Sequence, residues 1–176
     1  MMKKAVMMLL ALGAIGQVSA QEPQLLARFK GGIGVIPASS GIGAVDNNGV
    51  SPDVRRNIVR GVLPGAGPWT IADLRADVDV FGRVDVRGRG LLLASSDSLG
   101  QTLNLSVGAS LICEASAPFV PHTTVAVPLE PNGDFRIVDT LTSVPSACPS
   151  PVLLIRVGGT GPWLAAGIPD LPGSDR

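Results

Sequence analysis

His122 is the only histidine in the sequence, so a Ser-His-Asp triad could be built only through this residue. A zinc site with several histidine ligands cannot be built from one histidine. His122 follows Pro121 at the start of a predicted strand, and no nucleophile-elbow sequence lies near it. We therefore interpret His122 as a surface or loop residue. The alternative is a general base that acts with an Asp or a Ser in a small hydrolase.

Other residue patterns that could carry chemistry have simpler interpretations. A glycine-rich phosphate cradle at residues 31–34 would need a following helix, whereas Val35-Ile36-Pro37 is typical of a strand and a break. Four aspartates could bind calcium, but arginines interleave with or face each of them and would compete with a cation. They are Asp73, Asp77, Asp79 and Asp85, and we interpret them as a solvated sheet face of alternating charge. The sequence predicts no catalytic, cofactor-binding or metal-ligating residue.

The N-terminal segment has the features of a secretory signal. Lys3 and Lys4 precede a short apolar run, and Val18-Ser19-Ala20 fits a signal-peptidase site. We expect a signal peptide over residues 1–20 and a single domain over residues 21–176, secreted or periplasmic. The apolar run is about half of the ~20 residues that cross a bilayer, so no stable membrane span is expected after cleavage.

Cysteine content and composition narrow the class of protein further. Two cysteines in an exported chain, Cys113 and Cys148, favour one disulfide, with two buried free thiols as the alternative.

The 14 Lys and Arg residues balance 14 Asp and Glu residues, which argues against the broad positive field of a nucleic-acid binder. Aromatic residues make up only 3% of the chain, which argues against a surface for stacking sugars or bases.

Alternation of apolar and polar residues from Ile71 onward predicts half-buried strands. The clearest case is a hairpin over 71–89, in which Gly82 takes the positive φ of a three-residue loop. Its register would place Arg89 opposite Asp73 on the outer face. Other predicted strands lie at residues 25–30, 33–36, 58–63, 102–113, 123–129, 135–137, 152–157 and 163–168.

Turn and loop residues complete the predicted architecture. Pro131-Asn132-Gly133-Asp134 is predicted to join residues 123–129 and 135–137 as a hairpin. Residues 51–60 could hold one helical turn. Residues 31–67 are predicted to be a partly irregular region, which is either an irregular edge that covers one end of the sandwich or a binding loop. Strands that recur at short intervals suggest a sandwich or a barrel. We expect an all-β, antiparallel Greek-key β-sandwich of seven to nine strands with one disulfide.

Two tryptophans follow similar short segments, Gly65–Trp69 and Gly159–Trp163. One matching segment is too little to indicate an internal duplication. We interpret the two segments as similar strand entries, each with a tryptophan that caps the core.

A further pattern lies in the C-terminal half. Leu111-Ile112-Cys113 ends one strand, Asn132-Gly133-Asp134-Phe135 forms a turn, and Cys148 precedes the apolar strand Val152–Ile155. Over residues 108–157 this resembles the transthyretin-like and carboxypeptidase-regulatory-like β-sandwich modules. The resemblance implies a sandwich of seven or eight strands that binds or supports other molecules and does not catalyse a reaction. It brings no family binding residue to this chain.

These features favour an exported, non-enzymatic binding or structural module of the cell envelope or extracellular space. Its partner would be an unknown protein or envelope ligand, with no cofactor and no nucleic acid. Two alternatives remain. One is a small exported hydrolase that uses His122, and the other is an assembly subunit that completes its sheet with a partner's strand, since edge strands offer free backbone groups.

Overall fold

The computed structural model describes residues 24–40 and 54–170, so the predicted signal peptide at 1–20 lies outside the described residues. Every regular element within them is a β-strand, and none of their segments is a helix long and apolar enough to cross a membrane. The strands are β1 (Leu25–Gly34), β2 (Ala38–Ser40), β3 (Val54–Arg56), β4 (Trp69–Thr70), β5 (Asp73–Asp79), β6 (Arg83–Arg89), β7 (Leu92–Leu93), β8 (Ser106–Ile112), β9 (His122–Thr123), β10 (Val127–Pro128), β11 (Phe135–Thr140), β12 (Val152–Val157) and β13 (Trp163–Pro169).

Nine strands form one antiparallel sheet in the order β10-β8-β12-β13-β1-β5-β6-β11, with β9 also paired to β8. Two further sheets have two strands each, β2–β3 and β4–β7. The all-β, antiparallel part of the expectation is confirmed, and so is the disulfide between Cys113 and Cys148. The Greek-key sandwich stays a prediction, because the nine strands belong to one continuous ladder.

The sheet curls like a half-barrel until its two edges approach each other. At this junction the backbone N–H of Thr142 donates to the carbonyl oxygen of Thr123 at 2.8 Å, and the N–H of Val125 donates to Asp139 Oδ2, also at 2.8 Å. Along β1 the pairing register with β13 shifts beyond Phe29, where Gly31 has a φ of 94°. A bulge of this kind bends a strand and increases its twist.

The hairpin predicted over residues 71–89 is confirmed in its register as β5 and β6. Asp73 lies opposite Arg89, and Gly82 in the connecting loop has a φ of 78°. The inward-facing side chains are buried because the period of two places them all on the core side of the sheet. They are Leu74, Ala76, Val78, Val84 and Val86.

The hairpin ladder predicted between residues 123–129 and 135–137 does not form, although isolated hydrogen bonds join the chain segments on either side of the turn. The turn before β11 forms, since the N–H of Gly133 donates to the carbonyl oxygen of Glu130 at 2.8 Å, but β11 then pairs with β6, and β10 pairs with β8. Phe135 lies opposite Gly88, and a Cβ on Gly88 would sit 2.1 Å from the Phe135 ring. Gly88 therefore leaves the space that the aromatic ring fills when β11 pairs on this edge.

Other predicted boundaries also change. The prediction of a helical turn within residues 51–60 is wrong for Val54–Arg56, because these residues form β3. Residues 51–53 lie outside the described part of the chain. The strand expected at residues 102–113 begins only at Ser106, because Leu103 and Asn104 have φ values of 55° and 51° in a turn. In place of one strand at residues 123–129 there are two short strands with a break between them, β9, which already begins at His122, and β10.

Both tryptophans lie at the start of a strand and in the core, as the two similar segments predicted. Trp69 begins β4 and Trp163 begins β13, and both side chains are buried in the single apolar core cluster. The Trp163 indole N–H donates to the carbonyl oxygen of Asn57 at 3.1 Å. Its backbone N–H donates to the carbonyl oxygen of Leu63 at 2.9 Å, and the two bonds join the irregular segment 57–65 to the sheet.

Candidate functional site

A cleft of about 460 Å³ opens where the segment around Arg60 meets the β12–β13 turn. Apolar side chains form much of its wall, and two arginines are its charged lining residues within the described part of the chain. The lining residues are Arg60, Gly61, Val62, Leu63, Phe119, Pro121, Arg156, Thr160, Gly161 and Pro162. This combination of an apolar wall and a few directed polar groups is typical of ligand-binding sites.

Arg156 lies near the end of the central strand β12, directly after three buried apolar residues, and only 9% of it is exposed. Its Nε donates to the carbonyl oxygen of Gly161 at 2.7 Å, its Nη2 donates to the carbonyl oxygen of Thr160, and its Nη1 donates to Ser110 Oγ at 3.3 Å. The β12–β13 turn brings these carbonyl groups back over the guanidinium. Gly159, with a φ of 80°, is one of the residues that permit this turn.

No carboxylate neutralises Arg156 among the residues that the structure describes, because its partners there are two carbonyl groups and a hydroxyl. Burial lowers the pKa of Arg156 below its usual value, since the surrounding protein solvates the cation less well than water does. A guanidinium is nevertheless protonated in proteins under ordinary conditions. The cleft therefore contains a buried positive charge that carbonyl dipoles compensate only in part.

Arg60 reaches the same cleft from a tight turn. Val59 and Val62 exchange two backbone hydrogen bonds of 3.0 and 2.9 Å, and Arg60 and Gly61 between them have φ values of 46° and 79°. Two consecutive positive φ values are characteristic of a type I′ hairpin turn, and glycine favours this conformation at the second position. This turn forms where the sequence predicted a strand at residues 58–63.

The Arg60 side chain bridges segments that are distant in sequence. Its Nη1 donates to the carbonyl oxygens of Ile112 and Ser150 at 3.2 and 2.7 Å, and its Nη2 donates to Ser150 Oγ at 2.5 Å. The guanidinium also lies 5.6 Å from the centre of the Phe119 ring, within the range of a cation–π interaction. Like Arg156, it has no ion pair among the described residues.

The disulfide stands beside the acceptors of Arg60. The Cα atoms of Cys113 and Cys148 are 4.4 Å apart, and the N–H of Ser150 donates to the carbonyl oxygen of Cys113 at 3.2 Å. Ile112 precedes one cysteine and Ser150 follows the other by two residues. The covalent bond thus holds together the two segments whose carbonyl groups orient the Arg60 guanidinium.

His122 is not the surface residue that the sequence suggested, since only 7% of it is exposed. Pairing of β9 with β8 places it opposite Leu111, and its Nδ1 shares a 2.7 Å hydrogen bond with Oγ of the exposed Ser143. Hydrogen bonds from the backbone N–H groups of Val120 and Glu114, and a smaller effect of His122, hold the pKa of the Glu114 carboxyl below its usual range. A Ser–His pair therefore exists, formed by His122 and Ser143.

The four aspartates are paired with arginines, as the alternating charges predicted. Arg89 lies 3.1 Å from Asp73, Arg28 lies 2.7 Å from Asp77, and Arg83 lies 2.8 Å from Asp79. Arg136 and Arg87 lie 3.1 and 3.3 Å from Asp85. Asp73, Asp77, Asp85 and their arginines form a network of ion pairs on the outside of the sheet. Asp79, which was expected on the same solvated face, is instead buried, with only 6% of it exposed.

Partial burial acts to raise the pKa of Asp79. The backbone N–H groups of Arg83 and Phe81 and the Arg83 guanidinium outweigh it, so the pKa of the carboxyl lies below its usual value. Asp73 and Asp85 show the same balance, in which their arginine partners outweigh the effect of burial and lower the pKa.

The predicted site residues and the observed cleft overlap little. Cys113 and Cys148 form the expected bond, whereas neither Arg60 nor Arg156 stood out in the sequence. One signal was present for Arg156, because a charged residue inside a strand predicted to be central requires a partner within the fold. No such signal existed for Arg60, whose acceptors are 52 and 90 residues away.

Comparison with known proteins found no matching family model, no matching curated protein and no matching solved structure. The resemblance of residues 108–157 to transthyretin-like modules therefore stays a prediction.

Proposed function

We propose that the chain is an exported, non-enzymatic binding module of the cell envelope or extracellular space, and that the cleft containing Arg60 and Arg156 is its binding site. In this proposal the two halves of the curled sheet act as the facing layers of a Greek-key sandwich. The disulfide is consistent with an extracellular location. The observation that carries the proposal is the buried Arg156 guanidinium, which has hydrogen-bond acceptors but no carboxylate in the described part of the chain.

A buried cation without a counter-ion destabilises a fold, so its position at the wall of an open cleft needs a compensating role. Binding sites commonly contain such groups, because the ligand supplies the missing interaction. The rest of the wall fits this role, since Leu63 is 43% exposed and Pro121 and Pro162 are also exposed around the opening. These apolar groups would be covered when a ligand binds.

The test is a binding experiment with the secreted protein and with envelope and culture-medium fractions of the source cells. Components that bind immobilised protein are isolated and titrated individually against wild-type protein and the Arg60→Gln/Arg156→Gln double variant. Arg87→Gln, which changes an exposed arginine of the ion-pair network that does not line the cleft, is the matched control. We expect one component to bind saturably to wild type and the control and at least tenfold more weakly to the double variant. Saturable binding that the double variant retains in full would contradict this location of the site.

A hydrolase is the second candidate, and the 2.7 Å contact between His122 and Ser143 favours it. In a dyad the imidazole would accept the hydroxyl proton as Ser143 attacks an ester carbonyl, and the ester C–O bond would break to release the alcohol or phenol. Water would then hydrolyse the acyl-serine, which releases the acid and restores the hydroxyl group. The nitrogen near Ser143 is Nδ1, so Nε2 would carry the ring proton. Wild-type protein, His122→Ala, Ser143→Ala and the control Ser146→Ala are assayed with p-nitrophenyl acetate. Turnover that both site variants abolish and the control retains would establish the enzyme, whereas equal rates in all four proteins would exclude this dyad.

A subunit that accepts a partner's strand has less support. The junction bonds from Thr142 to Thr123 and from Val125 to Asp139 occupy backbone groups at both edges of the curled sheet. A donated strand would have to break these bonds before it could pair.

A further inference from the structure

We infer that the cleft recognises a carboxylate group attached to an apolar or aromatic body. This inference rests on the proposed function and adds the chemical class of the ligand. It follows from three features of the cleft: the hydrogen-bond donors that its arginines retain, the absence of an anion in its described lining, and the apolar surface beside the guanidinium groups.

The first feature is the number of donors that remain. A guanidinium has five N–H donors. Arg60 uses three of them, on Ile112, on the Ser150 carbonyl and on Ser150 Oγ, and Arg156 also uses three, on Gly161, Thr160 and Ser110. Each arginine therefore retains two N–H groups. A carboxylate offers about four acceptor positions on its two oxygens, so it can accept from N–H groups that either arginine retains.

The second feature is electrostatic. Two guanidinium groups line one cleft, and the lining residues that the structure describes include no Asp or Glu. The ion-paired aspartates occupy β5 and β6 and are absent from the cleft lining, so they supply no counter-ion there. An anionic ligand would gain charge-assisted hydrogen bonds without displacing an internal salt bridge.

The third feature selects the rest of the ligand. Phe119 presents its ring beside Arg60, and Leu63, Pro121 and Pro162 add apolar surface. A volume of about 460 Å³ lies in the lower part of the range of about 300–1,000 Å³ for small-ligand sites. An aryl or alkyl group of modest size would pack against this wall while its carboxylate meets the guanidinium groups. An arginine fork can also bind a phosphoryl group, so the experiment below includes a phosphonate probe.

Two sources could supply this chemistry, a free organic acid and the C-terminal carboxylate of a peptide chain. Isothermal titration of the secreted protein with matched probes distinguishes them. The probes are 3-phenylpropionate and 3-phenylpropionamide for the free acid, and a short peptide ending in phenylalanine, as the acid and as the C-terminal amide, for the chain terminus. Phenethylphosphonate has a similar body with a different anion.

We expect at least one carboxylate to bind at least tenfold more tightly than its amide, which corresponds to about 1.4 kcal/mol. Arg60→Gln and Arg156→Gln should each remove this preference, and Arg87→Gln should retain it. Whichever carboxylate binds more tightly identifies the source. Arg60→Lys and Arg156→Lys keep the charge but not the planar fork, so we expect them to retain only part of the preference.

Several results would overturn the inference. Equal affinity for acid and amide would exclude recognition of the carboxylate charge, and tighter binding of the phosphonate would exclude the carboxylate class. If an isolated envelope component binds saturably through the cleft while every carboxylate probe fails at millimolar concentration, the proposed function survives and the carboxylate class does not. If no component and no probe binds, both fail. The comparison of acid and amide uses wild-type protein, so it remains decisive even if Arg156→Gln does not fold.

Discussion

Removal of the disulfide is expected to lower both the stability of the fold and the affinity of the cleft. The bridge joins residues separated by 35 positions. Closing a loop of this length lowers the entropy of the unfolded chain, and the chain-entropy model assigns this about 4 kcal/mol. We therefore expect the Cys113→Ala/Cys148→Ala variant to lose about 4 kcal/mol of unfolding free energy. Guanidinium denaturation of the variant and of wild type, each with and without reductant, measures this difference.

The two proteins respond differently to reductant in this experiment. Wild type should lose stability when it is reduced, whereas the double variant should not respond, which separates loss of the bridge from other effects of the reagent. A loss below about 1 kcal/mol would refute the reasoning, because the loop would then restrict the unfolded chain far less than its length requires.

The effect on the cleft is a separate outcome. The acceptors of Arg60, at Ile112 and Ser150, lie beside Cys113 and Cys148. Without the bridge only the β8–β12 ladder and the hydrogen bond from Ser150 to Cys113 hold these carbonyl groups together. The guanidinium is then oriented less firmly, and the carboxylate probe should bind more weakly. The titration is made without denaturant, at a temperature where the variant is folded. Unchanged affinity in a destabilised variant would show that the bridge stabilises the fold without positioning Arg60.

Two further predictions concern the sheet. Gly88→Ala should lower the free energy of unfolding by about 1–3 kcal/mol, as overpacking does, because the new Cβ would lie 2.1 Å from the Phe135 ring. Thermal denaturation measures this loss. Adding Phe135→Leu to the same protein should recover part of it. The pKa of Asp79 is lower in the folded chain than its usual value of 3.8, so its contribution to stability is present above that pH and is lost as the pH falls through the folded pKa. Denaturation midpoints between pH 6 and pH 2 should therefore fall less steeply for Asp79→Asn than for wild type, whereas the exposed control Asp97→Asn should follow wild type.

Local pattern was sufficient to predict much of the sheet. The alternation over residues 71–89 fixed both the strands and their register, because a shift by one residue would have turned every valine toward solvent. The strand at residues 152–157 was predicted with its observed bounds and its central place, since a nearly continuous apolar run is stable only between two neighbouring strands.

Pairing between distant segments could not be predicted in the same way. The turn before Phe135 looked like the tip of a hairpin, and its residues do form a turn. The pairing of β11 with β6 requires the space above Gly88 that Phe135 fills, a property of two strands taken together that neither sequence shows alone. Because the sheet curls, a chain that leaves one edge at β10 arrives at the other edge at β11, and a local turn thus serves as a link between edges.

The cleft depends even more on such distant contacts. Arg60 and Gly61 were part of an expected strand, and the turn that they form places a guanidinium against carbonyl groups on two other segments. Arg156 was part of a correctly predicted strand, yet its burial depends on the return of the chain through Thr160 and Gly161. From the sequence, the segment Gly159–Trp163 was interpreted only as a strand entry similar to Gly65–Trp69. In the structure it also supplies carbonyl groups to the buried Arg156, and for this reason it borders the proposed site.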